Sequence, residues 1–209
     1  MNFQWKKWSI LPVAVLIAGT VAFAQDPSAT QDPKPKTEIG QRKENQQDRI
    51  ANGVQSGQLT AGETANLEKK EAAINKETAA DRAANGGKLT PAEKAQVNRQ
   101  QNRLSNQIYK DKHNANTAHY GNNQVAERRE NQQDRIAQGI KSGQLTAGET
   151  AKLENQQKGI NHQVAADRAA NGGKLTPAEK AQVNHEQNQA SRNIYRKKHN
   201  ARTQGGVKK

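Results

Sequence analysis

The twenty residues from Ala79 to Asn98 return unchanged as Ala165 to Asn184, an offset of 86 positions. The same offset relates Glu44 to Ala51 with Glu130 to Ala137, and Ser56 to Ala65 with Ser142 to Ala151. Identical segments carry identical local preferences, and a period this long predicts tandem structural units. A looser echo runs inside each half: Asp48-Arg49 leads to Leu59-Thr60 and Glu63, and Asp81-Arg82 leads to Leu89-Thr90 and Glu93. The shared skeleton is Asp-Arg, a glycine turn, Leu-Thr-x-x-Glu and then a long polar stretch, four times in all.

Each turn has a local mechanism. Thr90 stands where its hydroxyl caps the first N–H groups of a helix, and Glu93, three residues on, completes a capping box. Pro91 sits at the first helical position, where its missing N–H has no helical bond to lose. Asn85-Gly86-Gly87 just before supply left-handed conformations that end the preceding helix. Apolar spacing agrees with helix-turn-helix. Val97, Leu104 and Ile108 lie at i, i+7 and i+11, Leu153, Ile160 and Val164 repeat that spacing, and Leu67 and Ile74 keep the seven-residue step, so each helix carries a narrow apolar stripe. Helices are predicted near Gln41 to Ala51, Thr60 to Ala84, Thr90 to Lys112, Gln124 to Gln138, Thr146 to Ala170 and Thr176 to Lys198. No stretch alternates apolar and polar residues as a strand would.

The first residues have the parts of a secretory signal: Lys6 and Lys7, the apolar run Ile10 to Ala22, and Ala22-Phe23-Ala24 as a small-x-small site. Export to the periplasm or beyond the cell is expected, with cleavage after Ala24. The apolar run is shorter than the ~20 residues of a bilayer-spanning helix, so no transmembrane segment is expected after cleavage. Residues 25–41, with Asp26-Pro27, Asp32-Pro33 and Lys34-Pro35, read as a flexible linker. The chain has no cysteine, which excludes disulfides, thiolate metal sites and a lipoprotein anchor. Beyond Ala24 the aromatic residues are Tyr109, Tyr120 and Tyr195. So few large apolar groups predict thin helical hairpins rather than a globule with a deep core.

The formal net charge is +13, and without Lys6 and Lys7 it is 31 basic against 20 acidic residues, or +11. The surplus is uneven. Residues 42–127 hold 13 basic and 10 acidic residues, whereas residues 128–209 hold 16 and 7. The last stretch carries Arg192, Arg196, Lys197, Lys198, Arg202, Lys208 and Lys209 and no acid. These seven are the expected contacts for an anionic polymer or membrane surface, through sequence-independent and salt-sensitive attraction. Dedicated nucleic-acid recognition is not expected, because the first half is nearly balanced and aromatic stacking groups are scarce.

The run Gly87-Lys88-Leu89-Thr90-Pro91-Ala92-Glu93 resembles the second half of an EF-hand loop, in which a glycine bends the loop, an apolar residue follows and a glutamate closes it. Gly57 to Glu63, Gly143 to Glu149 and Gly173 to Glu179 match in the same way. The resemblance implies paired helix-loop-helix units. In its register the oxygen-donor positions fall on Arg82, Ala84 and Gly86, on Arg168, Ala170 and Gly172, on Asn52, Val54 and Ser56, and on Gln138, Ile140 and Ser142. Calcium takes ~6 to 8 oxygen ligands, and the acids left to such loops are Asp81, Glu93, Asp167 and Glu179. The motif Leu89-Thr90-x-x-Glu93, opening a long polar helix in a basic cysteine-free chain, is also similar to the Leu-Thr-x-x-Gln motif of Spy and CpxP type periplasmic helical proteins. That resemblance implies a chaperone or stress protein.

Catalytic signatures are missing. Asp48, Asp81, Asp134 and Asp167 each precede an arginine, which predicts salt bridges in place of a general acid and base. Ser56 and Ser142 lie in turns without a neighbouring histidine. Among His113, His119, His162, His185 and His199, the first and last recur four residues after Tyr109 and Tyr195, and read as helix ends where His and Lys meet the negative end of the dipole. No cofactor and no enzymatic activity are expected. The expected architecture is all-α: a signal peptide at 1–24, the linker at 25–41, one three-helix unit at 42–123, a second at 124–200, each built from EF-hand-like hairpins, and a basic disordered tail at 201–209.

Overall fold

The computed structural model describes residues 37–204, so the expected signal peptide, most of the linker, Lys208 and Lys209 lie outside the described residues. Among the described residues there are six α-helices and no strand: α1 Glu38–Gln55, α2 Ala61–Ala84, α3 Pro91–Lys112, α4 Gln124–Lys141, α5 Ala147–Ala170 and α6 Pro177–Lys198. Each helix of the second set begins 86 positions after its counterpart in the first.

The starts follow the expected chemistry. Thr60, Thr90, Thr146 and Thr176 cap α2, α3, α5 and α6, each in a complete capping box with Glu63, Glu93, Glu149 and Glu179. Pro91 and Pro177 open their helices. Gly86 and Gly87 have φ of 60° and 88°, a region in which a Cβ clashes with the backbone, so the helix-ending role needs glycine there. The linker ends earlier than expected: Thr37 accepts from the Gly40 N–H and starts α1 at Glu38. α1 and α4 also run a turn further than the apolar stripe suggested, because Ser56 and Ser142 continue the αR conformation at their C-caps.

The most extensive helix interface is α2 against α5, followed by α1 against α4. Equivalent helices therefore meet one another, and the expected thin hairpins are packed together through them. Ile50, Val54, Leu59, Leu67, Leu104, Ile108, Ile136, Ile140, Leu145, Leu153 and Ile194 join into one buried apolar cluster that draws on both halves. Val125, Ile160, Val164, Val183 and Ala190 form a second, smaller one. The stripe positions Val97, Leu104 and Ile108 are fully buried. Leu59 and Leu145 press so closely on Gly53 and Gly139 that a Cβ there would lie 2.6 Å from a leucine methyl.

The core is completed by amides and carboxyls that the apolar pattern does not reveal. Gln46, Gln47, Gln101, Gln132, Gln133, Gln157 and Gln187 are buried, together with Glu68, Glu71 and Glu154. Gln46 Nε2 donates to the Gln101 carbonyl at 2.6 Å, and Gln132 Nε2 to the Gln187 carbonyl at 2.7 Å. A buried amide with a main-chain partner recovers most of the hydrogen bonding it loses with water, so a chain poor in large apolar residues still closes a core. The stretch expected to be a disordered tail is in part held down. Gln204 is buried, its N–H donates to the Gly143 carbonyl at 2.9 Å, and its Oε1 accepts from the Ala147 N–H at 3.0 Å. Ala118, 86 positions earlier, makes the same main-chain bond to Gly57.

Candidate anion-binding face

α6 ends on Ile194-Tyr195-Arg196-Lys197-Lys198 before its C-cap His199. Ile194 is fully buried, while the next residue, Tyr195, is 59% exposed, as follows from the turn of about 100° per residue in a helix. His199 Nδ1 lies 2.8 Å from the Tyr195 carbonyl oxygen. A carbonyl only accepts, so Nδ1 carries the proton. The imidazole then stacks on the phenol, with centroids 4.1 Å apart and 26° between planes. Tyr109 and His113 repeat this at 4.2 Å and 27°. Both histidines thus act at helix ends and hold their tyrosines in place.

A shallow cleft of about 470 Å³ opens beside Tyr195, lined by Arg135 from α4 and by Ser191, Arg192, Tyr195 and Arg196 from α6. Arg135 is held there by Nη2 donating to the Ser191 carbonyl at 3.2 Å. The Lys198 stem crosses Gly139, where the lack of a side chain lets it approach. Burial, and then the charge of Arg135, lower the pKa of the Lys198 ammonium. Among the described residues the ion pair formed is Arg42 with Glu38 in α1. No carboxylate of the described residues therefore neutralises Arg135, Arg192, Arg196, Lys197 or Lys198. Converging cations without counter-charge raise the local concentration of anions, and guanidinium groups bind phosphate or carboxylate through paired N–H donors.

The structure thus brings Arg192 and Arg196, one turn apart on α6, to the cleft, whereas Lys197 and Lys198 do not line it. Arg202 follows the helix end, with its N–H donating to Asn200 Oδ1 at 2.8 Å. Sequence reading missed Arg135, because the Asp134-Arg135 step was expected to form a salt bridge. That expectation fails for all four Asp-Arg steps. Neighbours on a helix point about 100° apart, and Arg49 and Arg135 reach across to the Ser105 and Ser191 carbonyls.

The residues considered for a cation are used otherwise. Glu93 Oε2 accepts from the Thr90 N–H at 2.8 Å, and both of its oxygens accept from Asn85 Nδ2. Glu179 does the same with Thr176 and Asn171. These bonds to the ionised form, led by the one from the threonine main chain, hold both carboxyls below the usual range. Asp81 shifts upward, through partial desolvation and then the charges of Glu93 and Glu77. Among the described residues no three His, Asp or Glu side chains gather as a metal cluster. The hydroxyls of Ser56 and Ser142 donate to the Gly53 and Gly139 carbonyls. No helix of the described residues is long and apolar enough to cross a membrane. Comparison with protein-family models, with curated proteins and with solved structures gives no match.

Proposed function

We propose that this chain is an exported, non-enzymatic protein of two tandem three-helix units, built from EF-hand-like hairpins, that binds an anionic polymer or an anionic membrane surface. The observation that carries the reading is the cleft at Tyr195, where Arg135, Arg192 and Arg196 converge without a carboxylate partner among the described residues. The 86-residue correspondence of helices, caps and buried glutamines supports the tandem units. The basic residues beyond Gln204 extend the same charge. Nothing in the face distinguishes one sequence or headgroup from another, so the attraction is to charge density, and salt weakens it.

The test is binding of the full chain to inorganic polyphosphate and to phosphatidylglycerol vesicles, titrated with NaCl. Affinity is expected to fall steeply with salt and to drop in Arg192→Ala with Arg196→Ala. Affinity unchanged by either treatment rules the reading out.

A second reading, a chaperone or stress protein of Spy and CpxP type, is favoured by a groove of about 410 Å³ between α2 and α3. Ile74 and Leu104 lie on its floor, with Lys70 and Arg103 at its rim. Suppression of client aggregation that persists in high salt would separate this reading from the first.

A further inference from the structure

The α2–α5 seam, the most extensive helix interface of the body, carries acids where apolar side chains would be expected. Glu68 on α2 and Glu154 on α5 are equivalent by the 86-residue offset, and both are fully buried. One oxygen of each is satisfied: Gln47 Nε2 donates to Glu68 Oε2 at 3.2 Å, and Gln133 Nε2 donates to Glu154 Oε2 at 3.0 Å. The other, Oε1 in both cases, has no hydrogen-bond partner. A buried carboxylate with a free oxygen is costly, whereas a carboxylic acid brings its own donor and loses the charge.

Glu71 makes the same point by comparison. Its counterpart in the second half is Gln157, whose Nε2 donates to Gln132 Oε1 at 3.0 Å. In the first half the matching acceptor, Gln46 Oε1, is buried without a partner, and neither oxygen of Glu71 has a partner within hydrogen-bond geometry, although the nearby Asn75 side chain favours its ionised form. An ionised Glu71 has nothing to give Gln46. A protonated Glu71 supplies an O–H where Gln157 supplies an N–H.

We propose that protons on Glu68 and Glu154 in the α2–α5 seam, and on Glu71 beside it facing α1, are structural components of the packing, so that it works as a pH-sensitive clasp, tight in acid and weakened as the pH rises. Four helices bring groups to these carboxyls. α1 brings Lys43 and the neutral Gln47, α4 brings the neutral Gln133, and α2 and α5 bring the carboxyls themselves. Tyr120, in the α3–α4 connection, senses Glu154, and Arg129 of α4 lies over its ring. No charge on α3 or α6 acts on the three. Lys43 favours ionised Glu71 but forms no ion pair with it, and its own ammonium is disfavoured by burial. Desolvation therefore prevails. It pushes Glu68 well above the usual range, Glu154 up to about 8 and Glu71 up to about 7.

The direction in pH follows from linkage. A carboxyl whose pKa is raised by folding adds stability that is fully present below its unfolded pKa of 4.5 and is lost as the pH climbs through the folded values of about 7 and about 8. The experiment is thermal unfolding of the full chain from pH 5 to pH 9, beside Glu71→Gln and the pair Glu68→Gln with Glu154→Gln. The melting temperature of the unaltered chain is expected to fall by on the order of 10 °C across that range. Glu71→Gln is expected to raise it at pH 9 and to leave it nearly unchanged at pH 5. The paired change flattens most of the remaining slope. Glu71→Gln installs the residue that the second half already carries at this place, so it gives a readable answer even if the paired variant fails to fold. A flat or rising melting temperature in the unaltered chain, or a slope in Glu71→Gln as steep as that of the unaltered chain, overturns the proposal.

Discussion

Helices α3 and α6 open on the same eight residues, Pro-Ala-Glu-Lys-Ala-Gln-Val-Asn, and both reach an Ile-Tyr step near their ends. Between those points they diverge in what they bury and what they display. α3 carries Leu104, which joins Ile74 and Val97 to the main core, whereas α6 has Ala190 at the equivalent place, and its neighbours Ile160 and Val183 fall into a separate cluster. On the outer face the change runs the other way. Where α6 shows Arg192, Arg196 and Lys197, α3 shows Asn106, Lys110 and Asp111, and Gln107 Nε2 donates to Asp111 at 2.7 Å. A third difference follows the same line: Lys43 stands near Glu71 in the first half, while in the second Gln157 replaces the acid and the counterpart Arg129 lies over the Tyr120 ring at 5.4 Å. One local plan thus supports two uses, a fuller core in the first half and an uncompensated cationic face in the second.

The most severe way to break that contrast is Leu104→Ala, which gives α3 the core residue of α6. It is expected to destabilise by about 2–5 kcal/mol, the range for a buried leucine cut to alanine, as read by urea unfolding. A cost below about 1 kcal/mol would mean that the two cores are alike. The contrast on the surface is tested by Arg192→Asn with Lys197→Asp, which gives α6 the face of α3. Polyphosphate affinity is expected to fall at least about tenfold, with a salt slope shallower by roughly two charges and no loss of melting temperature. If Asn106→Arg with Asp111→Lys transferred no affinity to α3, the cleft and not the charge alone would be at work.

Features common to both halves should respond equally. Gly53→Ala and Gly139→Ala each force a Cβ against a leucine methyl and are expected to cost about 1–3 kcal/mol. Thr90→Ala and Thr176→Ala remove the helix caps, at about 1 kcal/mol each in thermal melts. The smallest effect is the acid limb of the pH profile. Folding lowers the pKa of Glu93 and Glu179, so their contribution is present above the ordinary carboxylate range and disappears as the pH falls through the lowered values. Glu93→Gln with Glu179→Gln should lower the melting temperature slightly and evenly from neutral to alkaline pH, leave the alkaline slope unchanged, and soften only this acid loss.

Most helix boundaries were legible because their signals are local. Thr90, Pro91 and Glu93 act within one turn, and Gly86 and Gly87 need only their own dihedral angles. Leu67, Ile74, Val97, Leu104, Ile108, Leu153, Ile160 and Val164 reach the core as their spacing required. The buried glutamines and glutamates were not legible, although Gln101 falls between Val97 and Leu104 on the same stripe. A glutamine is read as surface unless its partner is known, and the partners of Gln46 and Gln101, the Gln101 and Ile39 carbonyls, lie 55 and 62 positions away.

What this sequence determined by itself is therefore the set of helices, their caps and their duplication, all of which rest on interactions within a few residues. Only the tertiary structure decided that α2 meets α5 and α1 meets α4, that three carboxyls are enclosed at or beside that seam, and that Arg135 joins Arg192 and Arg196 from another helix. Burial and convergence depend on which faces meet across 50 to 90 positions of chain, and identical repeats leave that choice open until the helices pack.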